Sequence, residues 1–383
     1  MKVYHSIIRD LLLILFVIYF AQGSLYSSGS IISQSVLFTV FIFSSYYFLL
    51  LLIIEKKNFF FRTWTAFMLL NVFGFVLTAS ISSSQQFAML KRLLMFLLPF
   101  YPFYYFSIKN YLNSKHLMRF FVFMLPVFII QFYTSTARTL AERDISEDSL
   151  VNNVSYSFVG LLPFIFLFKK RKILSYFLMM VLIIFIIQGA KRGAIISGAI
   201  GLIIFIYYQL KTIERKYKLR GYIIVAIATT ALVYYSYDLF QNNEYLIYRM
   251  QKLSEEDGSS GRNVIYSTLF NTWYNSEDIL NVLFGFGFAS SLQIAGNFAH
   301  NDWLELLTSF GFLGVFIYSI LFYALFKYIF NNKWEIDKKL LLFTVVLLWL
   351  FASIVSMGFT SRSGLIQAIL IAYLVGSKSN RIE

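Results

Sequence analysis

Long runs of apolar residues recur along this 383-residue chain, and they constrain its fold more than any other feature. Runs of about 17 to 25 such residues are long enough to cross the hydrocarbon layer of a membrane as α-helices. Hydrophobic residues make up 58% of the chain and charged residues only 14%, which is too much apolar surface for the core of a water-soluble protein of this size. The sequence therefore predicts an all-α polytopic membrane protein.

These runs predict about twelve transmembrane helices. The first run has no small-residue cleavage site, so we expect it to stay as a helix and not to be removed as a signal peptide. The expected spans are residues 7–22, 31–54, 59–80, 87–108, 117–134, 153–168, 173–189, 193–208, 221–237, 308–330, 340–357 and 361–376.

Charges in the connections predict the side of the membrane on which each connection lies. With the N-terminus inside, the basic loops at 169–172, 211–220 and 327–339 and the C-terminal tail all fall on the cytoplasmic side, as the positive-inside rule requires. We therefore interpret the net charge of +14 as a topology signal. Nucleic-acid binding is not expected, because the basic residues lie in separate short loops and form no continuous stripe.

Two longer connections interrupt the alternation of span and short loop, and both are expected outside. Segment 135–153 is expected to be a solvated connection. Segment 238–307 is far longer, and we expect it to fold on the membrane surface as a large periplasmic loop. This divides the chain into a membrane domain at 1–237, the loop at 238–307 that carries the catalytic motif, and the remaining spans with a cytoplasmic tail at 308–383.

Short amphipathic helices are expected within the large loop. Residues 262–274 place Ile265, Leu269 and Trp273 on one helical face, which predicts a helix lying at the membrane interface. Gly285-Phe-Gly287 is typical of a turn. A second helix is expected to begin near His300.

His300 is the best candidate for chemistry, because the chain has only three histidines and this one lies beside an amide and two carboxylates. A histidine pKa near 6.5 makes the imidazole a usable general base around neutrality, and Asp302 or Glu305 could fix its tautomer. The alternative is a loop histidine satisfied by Asp302 or by water, with both carboxylates solvated at the start of a helix. A lone histidine with two carboxylates on different helix faces is a poor ligand set, so no metal is expected.

Basic residues at the outer ends of the expected spans are candidates for an anion site. The planar guanidinium of arginine can donate two hydrogen bonds to one phosphate group. Lys191 and Arg192 are the most informative, because they lie in a very short outer turn that violates the positive-inside trend. Lys91, Arg92 and Arg362 can equally anchor helices to lipid headgroups. The remaining candidates lie in the large loop: Arg249, Lys252 and Arg262.

The stretch from Arg262 through Phe284-Gly-Phe-Gly287 to Ala299-His-Asn-Asp-Trp-Leu-Glu-Leu-Leu-Thr-Ser-Phe-Gly-Phe-Leu-Gly314 resembles the O-antigen polymerase and O-antigen ligase superfamily. The resemblance rests on the His-Asn-x-x-Leu-Glu core followed by Gly-x-x-Gly. The turn Gly189-Ala-Lys-Arg-Gly193 also looks like an element of that family, although Lys191 stands where a serine is common. Sequence-level resemblance covers residues 185–315, and the rest matches only in hydropathy.

The resemblance implies a GT-C-like membrane glycosyltransferase of the bacterial inner membrane, with both termini cytoplasmic. Its reaction would be an inverting glycosyl transfer at the periplasmic face that needs no metal and no cofactor. The partners it implies are an undecaprenyl-diphosphate-linked oligosaccharide donor and acceptor, the lipid bilayer, and a protein that regulates chain length.

The resemblance also implies roles for individual residues. His300 would deprotonate the acceptor sugar hydroxyl, and Asn301 and Glu305 would orient His300 or the acceptor. Positively charged residues would hold the donor diphosphate and stabilise its leaving charge. These candidate binding residues are Arg192, Lys191, Arg262 and Arg249.

Three functions are compatible with these observations. A polymerase that joins lipid-linked repeat units, as in O-antigen or capsule assembly, is favoured by the Asp302-Trp303-Leu304-Glu305 spelling and by the Phe/Ile-rich composition. A ligase would use the same donor but transfer the chain to a lipid A core sugar. A transporter or flippase is disfavoured, because ion-coupled carriers usually need carboxylates near the membrane midplane.

Overall fold

A computed structural model describes residues 2–27, 29–54, 58–78, 84–143, 151–169, 171–213, 218–241, 247, 261–330 and 334–379, and its secondary structure is helical. The helices before residue 242 are α1 (Lys2–Ala21), α2 (Ile31–Ile54), α3 (Phe59–Thr78), α4 (Ser84–Leu97), α5 (Phe100–Ile108), α6 (Ser114–Arg143), α7 (Ser155–Leu161), α8 (Lys172–Gln188), α9 (Arg192–Thr212) and α10 (Lys218–Gln241). Those after residue 261 are α11 (Arg262–Tyr274), α12 (Ile279–Phe284), α13 (Ser291–Ile294), α14 (Asp302–Ile329), α15 (Ile336–Val355) and α16 (Arg362–Ser379). Short 3₁₀ segments, Leu162–Phe168 and Gly358–Thr360, follow α7 and α15.

Within these ranges, eight helical segments are long and apolar enough to cross a membrane. The protein is therefore an all-α, multi-pass membrane protein, as the sequence predicts, but the prediction of twelve spans is wrong. The eight segments are Val3–Ala21, Ile31–Ile54, Phe59–Thr78, Ser84–Ile108, Ser114–Ala141, Arg192–Thr212, Asp302–Ile329 and Ile336–Val355.

Three of the expected spans form apolar helices of 10 to 17 residues, namely Ser155–Phe168, Lys172–Gln188 and Gly364–Ser377. An α-helix of 17 residues is only about 26 Å long, shorter than the hydrocarbon core of about 30 Å. In α16, Leu365, Ile366 and Leu370 are buried inside the protein. A run of apolar residues there packs against other helices, and hydropathy alone does not separate this burial from contact with lipid. One more expected span, residues 221–237, is not among the eight. It falls in α10, where tyrosines and threonines make the helix less apolar.

The core between the helices is unusually aromatic. Trp64 of α3 stacks obliquely on Phe100 of α5, with ring centroids 4.8 Å apart, and meets Trp349 of α15 at 6.0 Å. Phe96 and Tyr318 pack against the same Trp349 ring, both edge-on. Such contacts join α3, α4, α5, α14 and α15 into one packed unit.

The connections expected on opposite sides of the membrane lie at opposite ends of the helices. At one end, Gln131 of α6 donates to the carbonyl of Gln22 (3.0 Å), and the amide of Asn152 donates to the carbonyl of Gly189 (2.9 Å). We call this end of the helices the site end, because Arg262 and the start of α9 meet there at Val355. At the other end, Lys169 pairs with Asp337 at 2.6 Å. These contacts place the connections near residues 22, 152 and 189 at one end, and those near residues 169 and 337 at the other.

Candidate functional site

The long helix α14 carries the motif around His300, and it is kinked. The expected short helix near His300 and the expected span at 308–330 form this one element, which is interrupted at Gly311 (φ 58°, ψ −150°). The carbonyls of Thr308 and Ser309 accept hydrogen bonds from the amides of Phe286 (2.7 Å) and Gly287 (3.1 Å). The expected turn at 285–287 is thus confirmed, and its amides replace helical donors that the kink removes.

Glycine is required at the kink by close backbone packing as well as by its dihedral angles. A Cβ atom at position 311 would lie 2.5 Å from the carbonyl carbon of Leu283 in α12. A Cβ atom at Gly285 would lie equally close, at 2.4 Å, to the amide nitrogen of Phe310. The two segments therefore cross in direct backbone contact, which fixes the loop before His300 on α14.

Glu305 is buried in the first turn of α14, so the alternative of a solvated carboxylate is wrong. Its two oxygens accept from the Ser291 hydroxyl at 2.9 and 2.7 Å, and one also accepts from the Ala299 amide at 3.0 Å. Among the described contacts none joins Glu305 to the His300 ring, so the expected control of the tautomer is not seen. Glu305 instead holds the backbone immediately before His300.

His300 lies just before α14, whose N-cap is Asn301. Its backbone is left-handed (φ 52°), which is uncommon for a residue other than glycine. Its carbonyl accepts a hydrogen bond from the Tyr266 hydroxyl at 3.3 Å. Burial lowers the pKa of the half-buried His300 imidazole, and the positive charge of Arg262 lowers it further. The imidazole is therefore neutral at pH 7 and able to accept a proton.

Asn301 caps α14 and fixes its start against α15. Its side-chain oxygen accepts from the amides of Trp303 (2.9 Å) and Leu304 (3.1 Å), as an N-cap residue does. Its side-chain nitrogen donates to the carbonyl of Ile354 at 3.0 Å. Asn301 therefore positions the residue before it by anchoring the helix and the C-terminal end of α15 together.

Asp302 is fully buried, and its hydrogen bonds do not go to His300. One carboxylate oxygen accepts from the Tyr318 hydroxyl at 2.6 Å and from the Phe359 amide at 3.3 Å. The expectation that Asp302 fixes the histidine tautomer is therefore wrong. The residue ties the start of α14 to the connection between α15 and α16.

Arg262 is the first residue of α11, the helix expected at 262–274, which is confirmed. Leu269 and Trp273 are its buried residues. The Arg262 guanidinium donates to the carbonyl of Val355 at 2.7 Å, at the end of α15. Asn301 donates to the neighbouring carbonyl of Ile354, so the end of α15 brings Arg262 close to the residue that follows His300.

The turn between α8 and α9 also lies beside the end of α15. Lys191 precedes α9 and Arg192 is its first residue. A Cβ atom at Gly193 would lie 2.4 Å from the Tyr156 hydroxyl oxygen and 3.6 Å from a methyl carbon of Val355. The start of α9 thus abuts the residue whose carbonyl binds Arg262. Arg249 lies outside the described residues.

Several residues of the site carry no sequence signal that singles them out. Ser291 and Tyr318 bind the two buried carboxylates, and Tyr266 binds the His300 carbonyl. Serines and tyrosines are common throughout the chain, so only the fold identifies these three. The connection 356–361 is different, because its run of small and polar residues between two apolar helices is visible in the sequence.

No protein-family model matches this chain, and no curated protein matches it in sequence. Over the described ranges, histidine, aspartate and glutamate form no group of three that could hold a metal ion. Fold and site together define a multi-pass helical membrane protein with a neutral imidazole beside an arginine at one end. Such a pair can take a proton from one group while it binds an anion on another.

Proposed function

We propose that the protein is a polysaccharide polymerase of the bacterial inner membrane. It would join undecaprenyl-diphosphate-linked oligosaccharide repeat units into O-antigen or capsular polysaccharide by glycosyl transfer. The observation that carries the proposal is the half-buried His300 at the start of α14. The next residue, Asn301, and Arg262 bind the consecutive carbonyls of Ile354 and Val355. Transfer from a lipid diphosphate needs a base for the acceptor hydroxyl and a cation for the leaving group, and His300 and Arg262 would supply both.

The reaction would be a single displacement. The acceptor hydroxyl oxygen attacks the anomeric carbon of the donor sugar while a ring nitrogen of His300 takes its proton. The bond between the anomeric carbon and the diphosphate oxygen breaks, and undecaprenyl diphosphate leaves with the electron pair. Attack from the face opposite the leaving group inverts the anomeric configuration.

Arg262 and Arg192 would bind the diphosphate, with Lys191 and Arg249 as further contacts. Well-placed donors to a developing negative charge contribute about 3 kcal/mol each to the transition state. In this proposal the arginines supply the positive charge at the diphosphate, so the reaction needs neither a metal nor a cofactor. Asn301 and Glu305 would act as positioning residues, through the helix cap and the Ala299 backbone.

The site end would face the periplasm, with both termini in the cytoplasm. The ion pair between Lys169 and Asp337 lies at the opposite end, among the basic connections that the positive-inside rule assigns to the cytoplasm. A lipid-linked substrate presented at the outer leaflet would meet the site from the bilayer, and a chain-length regulator would bind from the same side.

A transporter is the second candidate, because Asp302 and Glu305 are buried acids in a helix long enough to span a membrane. Carboxylates of ion-coupled carriers usually lie near the midplane. Both acids here lie in the first turn of a 28-residue helix, and Glu305 is engaged by hydroxyl and amide donors. The geometry therefore favours the transferase.

The test is reconstitution of the purified protein with undecaprenyl-diphosphate repeat units and no lipid A core, followed by gel electrophoresis of the glycans. A ladder of repeat units is expected. Transfer only after lipid A core is added would identify a ligase instead. Movement of the intact lipid-linked unit across the bilayer without any new glycosidic bond would overturn both.

A further inference from the structure

A polar cavity opens at the site end, apart from the residues around His300. It has a volume of about 450 Å³ and is lined by two consecutive cations of α4, Lys91 and Arg92. Neutral polar side chains form much of the remaining wall, and none of the lining residues that the structure describes is acidic. These side chains include Gln22, Ser33, Thr360 and Ser361.

The two cations have no ion-pair partner among the residues that the structure describes. Anchoring to lipid headgroups, the alternative offered by the sequence, does not require a cavity around the charges. Two adjacent positive charges in a recess with no carboxylate create a focused positive potential. The recess therefore suits a compact, multiply charged anion such as a diphosphate.

Part of the polar wall is held in place by its own hydrogen bonds. The Ser361 hydroxyl donates to the carbonyl of Gly358 at 2.8 Å and accepts from the Gly364 amide at 3.0 Å. The Ser33 hydroxyl donates to the side-chain oxygen of Gln22 at 3.1 Å. The polar lining is thus built before any ligand enters.

The connection after α15 links this cavity to the His300 site. Val355 binds Arg262 through its carbonyl, Phe359 binds Asp302 through its amide, and Thr360 lines the cavity. Five residues of chain span at most about 18 Å even when fully extended. The cavity therefore lies within about that distance of the end of α15, where Arg262 binds.

A polymerase needs two diphosphate sites at unequal distances from its base. The donor reacts at the carbon that bears its diphosphate, so that diphosphate lies at the reacting centre. The acceptor reacts at a hydroxyl at the far end of its oligosaccharide, so its diphosphate lies one repeat unit away. We infer that the cavity at Lys91 and Arg92 binds the diphosphate of the acceptor. This inference rests on the proposed function and makes it specific to a polymerase.

The experiment counts bound lipids by native mass spectrometry of the purified full chain titrated with undecaprenyl diphosphate. The wild type is expected to bind two molecules, and K91Q/R92Q to bind one, with the second event weakened at least about tenfold. K218Q/R220Q makes the same charge change at exposed positions at the start of α10, at the opposite end of the helices, and is expected to retain both. Thermal melting checks that the variants are folded, and K91Q and R92Q are measured singly if the double variant is not.

Phosphatidylglycerol is titrated in parallel to separate a lipid diphosphate from an ordinary anionic headgroup. Much weaker binding of phosphatidylglycerol supports the inference, whereas equal binding that K91Q/R92Q also removes makes the cavity a headgroup site and overturns it. Two molecules bound by wild type and K91Q/R92Q alike would also overturn it, while the proposed function stands. Failure of the wild type to bind any undecaprenyl diphosphate would remove the proposed function itself.

Discussion

At the scale of single residues, the site depends on how His300 is held. Ala299 is fixed from one side by the buried Glu305, and Asn301 begins a capped helix on the other. The His300 carbonyl is bound by Tyr266. The backbone is therefore fixed around His300 before a substrate binds, which limits where the imidazole can lie. The proposed role as a general base requires preorganisation of this kind.

Replacing His300 by alanine is expected to lower the rate of glycan elongation by about 10²- to 10⁴-fold, the usual contribution of a general base. The measurement is the elongation rate of purified variants in the reconstituted reaction. H116A, which removes a histidine at the opposite end of the protein, serves as the control and is expected to keep the wild-type rate. Wild-type elongation by H300A would refute the assignment of the base.

The pH dependence of elongation follows from the direction of the His300 pKa shift. The neutral imidazole is the active form, and burial with the Arg262 charge lowers its pKa below 6.5. The rate is therefore expected to be constant around neutrality and to fall only in acid, by about tenfold per pH unit below the lowered pKa. A midpoint of the decline at or above pH 6.5 would contradict this environment.

Arg192→Lys is expected to reduce kcat/KM by about tenfold or more, because lysine cannot reproduce the two parallel hydrogen bonds of a guanidinium to phosphate. The steady-state kinetics of the reconstituted variant measure this effect. Arg171→Lys makes the same change at the opposite end and is expected to be neutral. Full activity of R192K would show that Arg192 anchors its helix and does not bind the diphosphate.

The sequence predicts which residues lie at one end of the protein better than it predicts their contacts. His300, Arg262 and the 189–193 turn are predicted from residue type and position, and the fold brings them to one end. The burial of Asp302 and Glu305 is not predictable in the same way, because acidic residues in a first helical turn look the same whether solvated or buried. Whether these two acids are buried depends on their contacts with Tyr318 and Ser291. Neither partner is adjacent to them in sequence, and neither residue type singles it out.

At the scale of elements, the kink in α14 joins the loop around His300 to the membrane helix. Helix α11 could be predicted from its apolar periodicity. The sequence does not predict that the helix after His300 continues into the following span as one element. Gly311 lies within an apolar run that reads as uninterrupted helix. Only the crossing with α12 explains why the chain departs from helical geometry there.

Gly311→Ala is expected to destabilise the protein strongly. The positive φ alone costs about 1–3 kcal/mol in this region of backbone space, and the new Cβ would also meet the Leu283 carbonyl carbon at 2.5 Å. Thermal unfolding in detergent measures the effect. Gly296→Ala also has a positive φ but no atom within 4 Å of its Cβ, so it should cost only about 1–2 kcal/mol. Equal losses in the two variants would contradict a role for the crossing.

At the scale of the whole molecule, hydropathy predicts the class of protein, but it overestimates the number of spans. Leu365 to Val375 of α16 show why: they are apolar because they pack inside the protein, and a hydropathy scale scores this as a membrane span. The cavity at Lys91 and Arg92 could not be predicted from the sequence either, because α1, α2, α4 and the connection before α16 all contribute to its wall.

The central claim is that His300 and the neighbouring arginines transfer a glycan from one lipid diphosphate to another lipid-linked acceptor. The most direct test measures released undecaprenyl diphosphate and new glycosidic bonds in the same reconstituted sample, for the wild type and for H300A. One molecule of undecaprenyl diphosphate released per bond by the wild type, and neither product from H300A, is the predicted result. Equal release and bond formation by H300A, or consumption of substrate by the wild type without a new bond, would contradict the account.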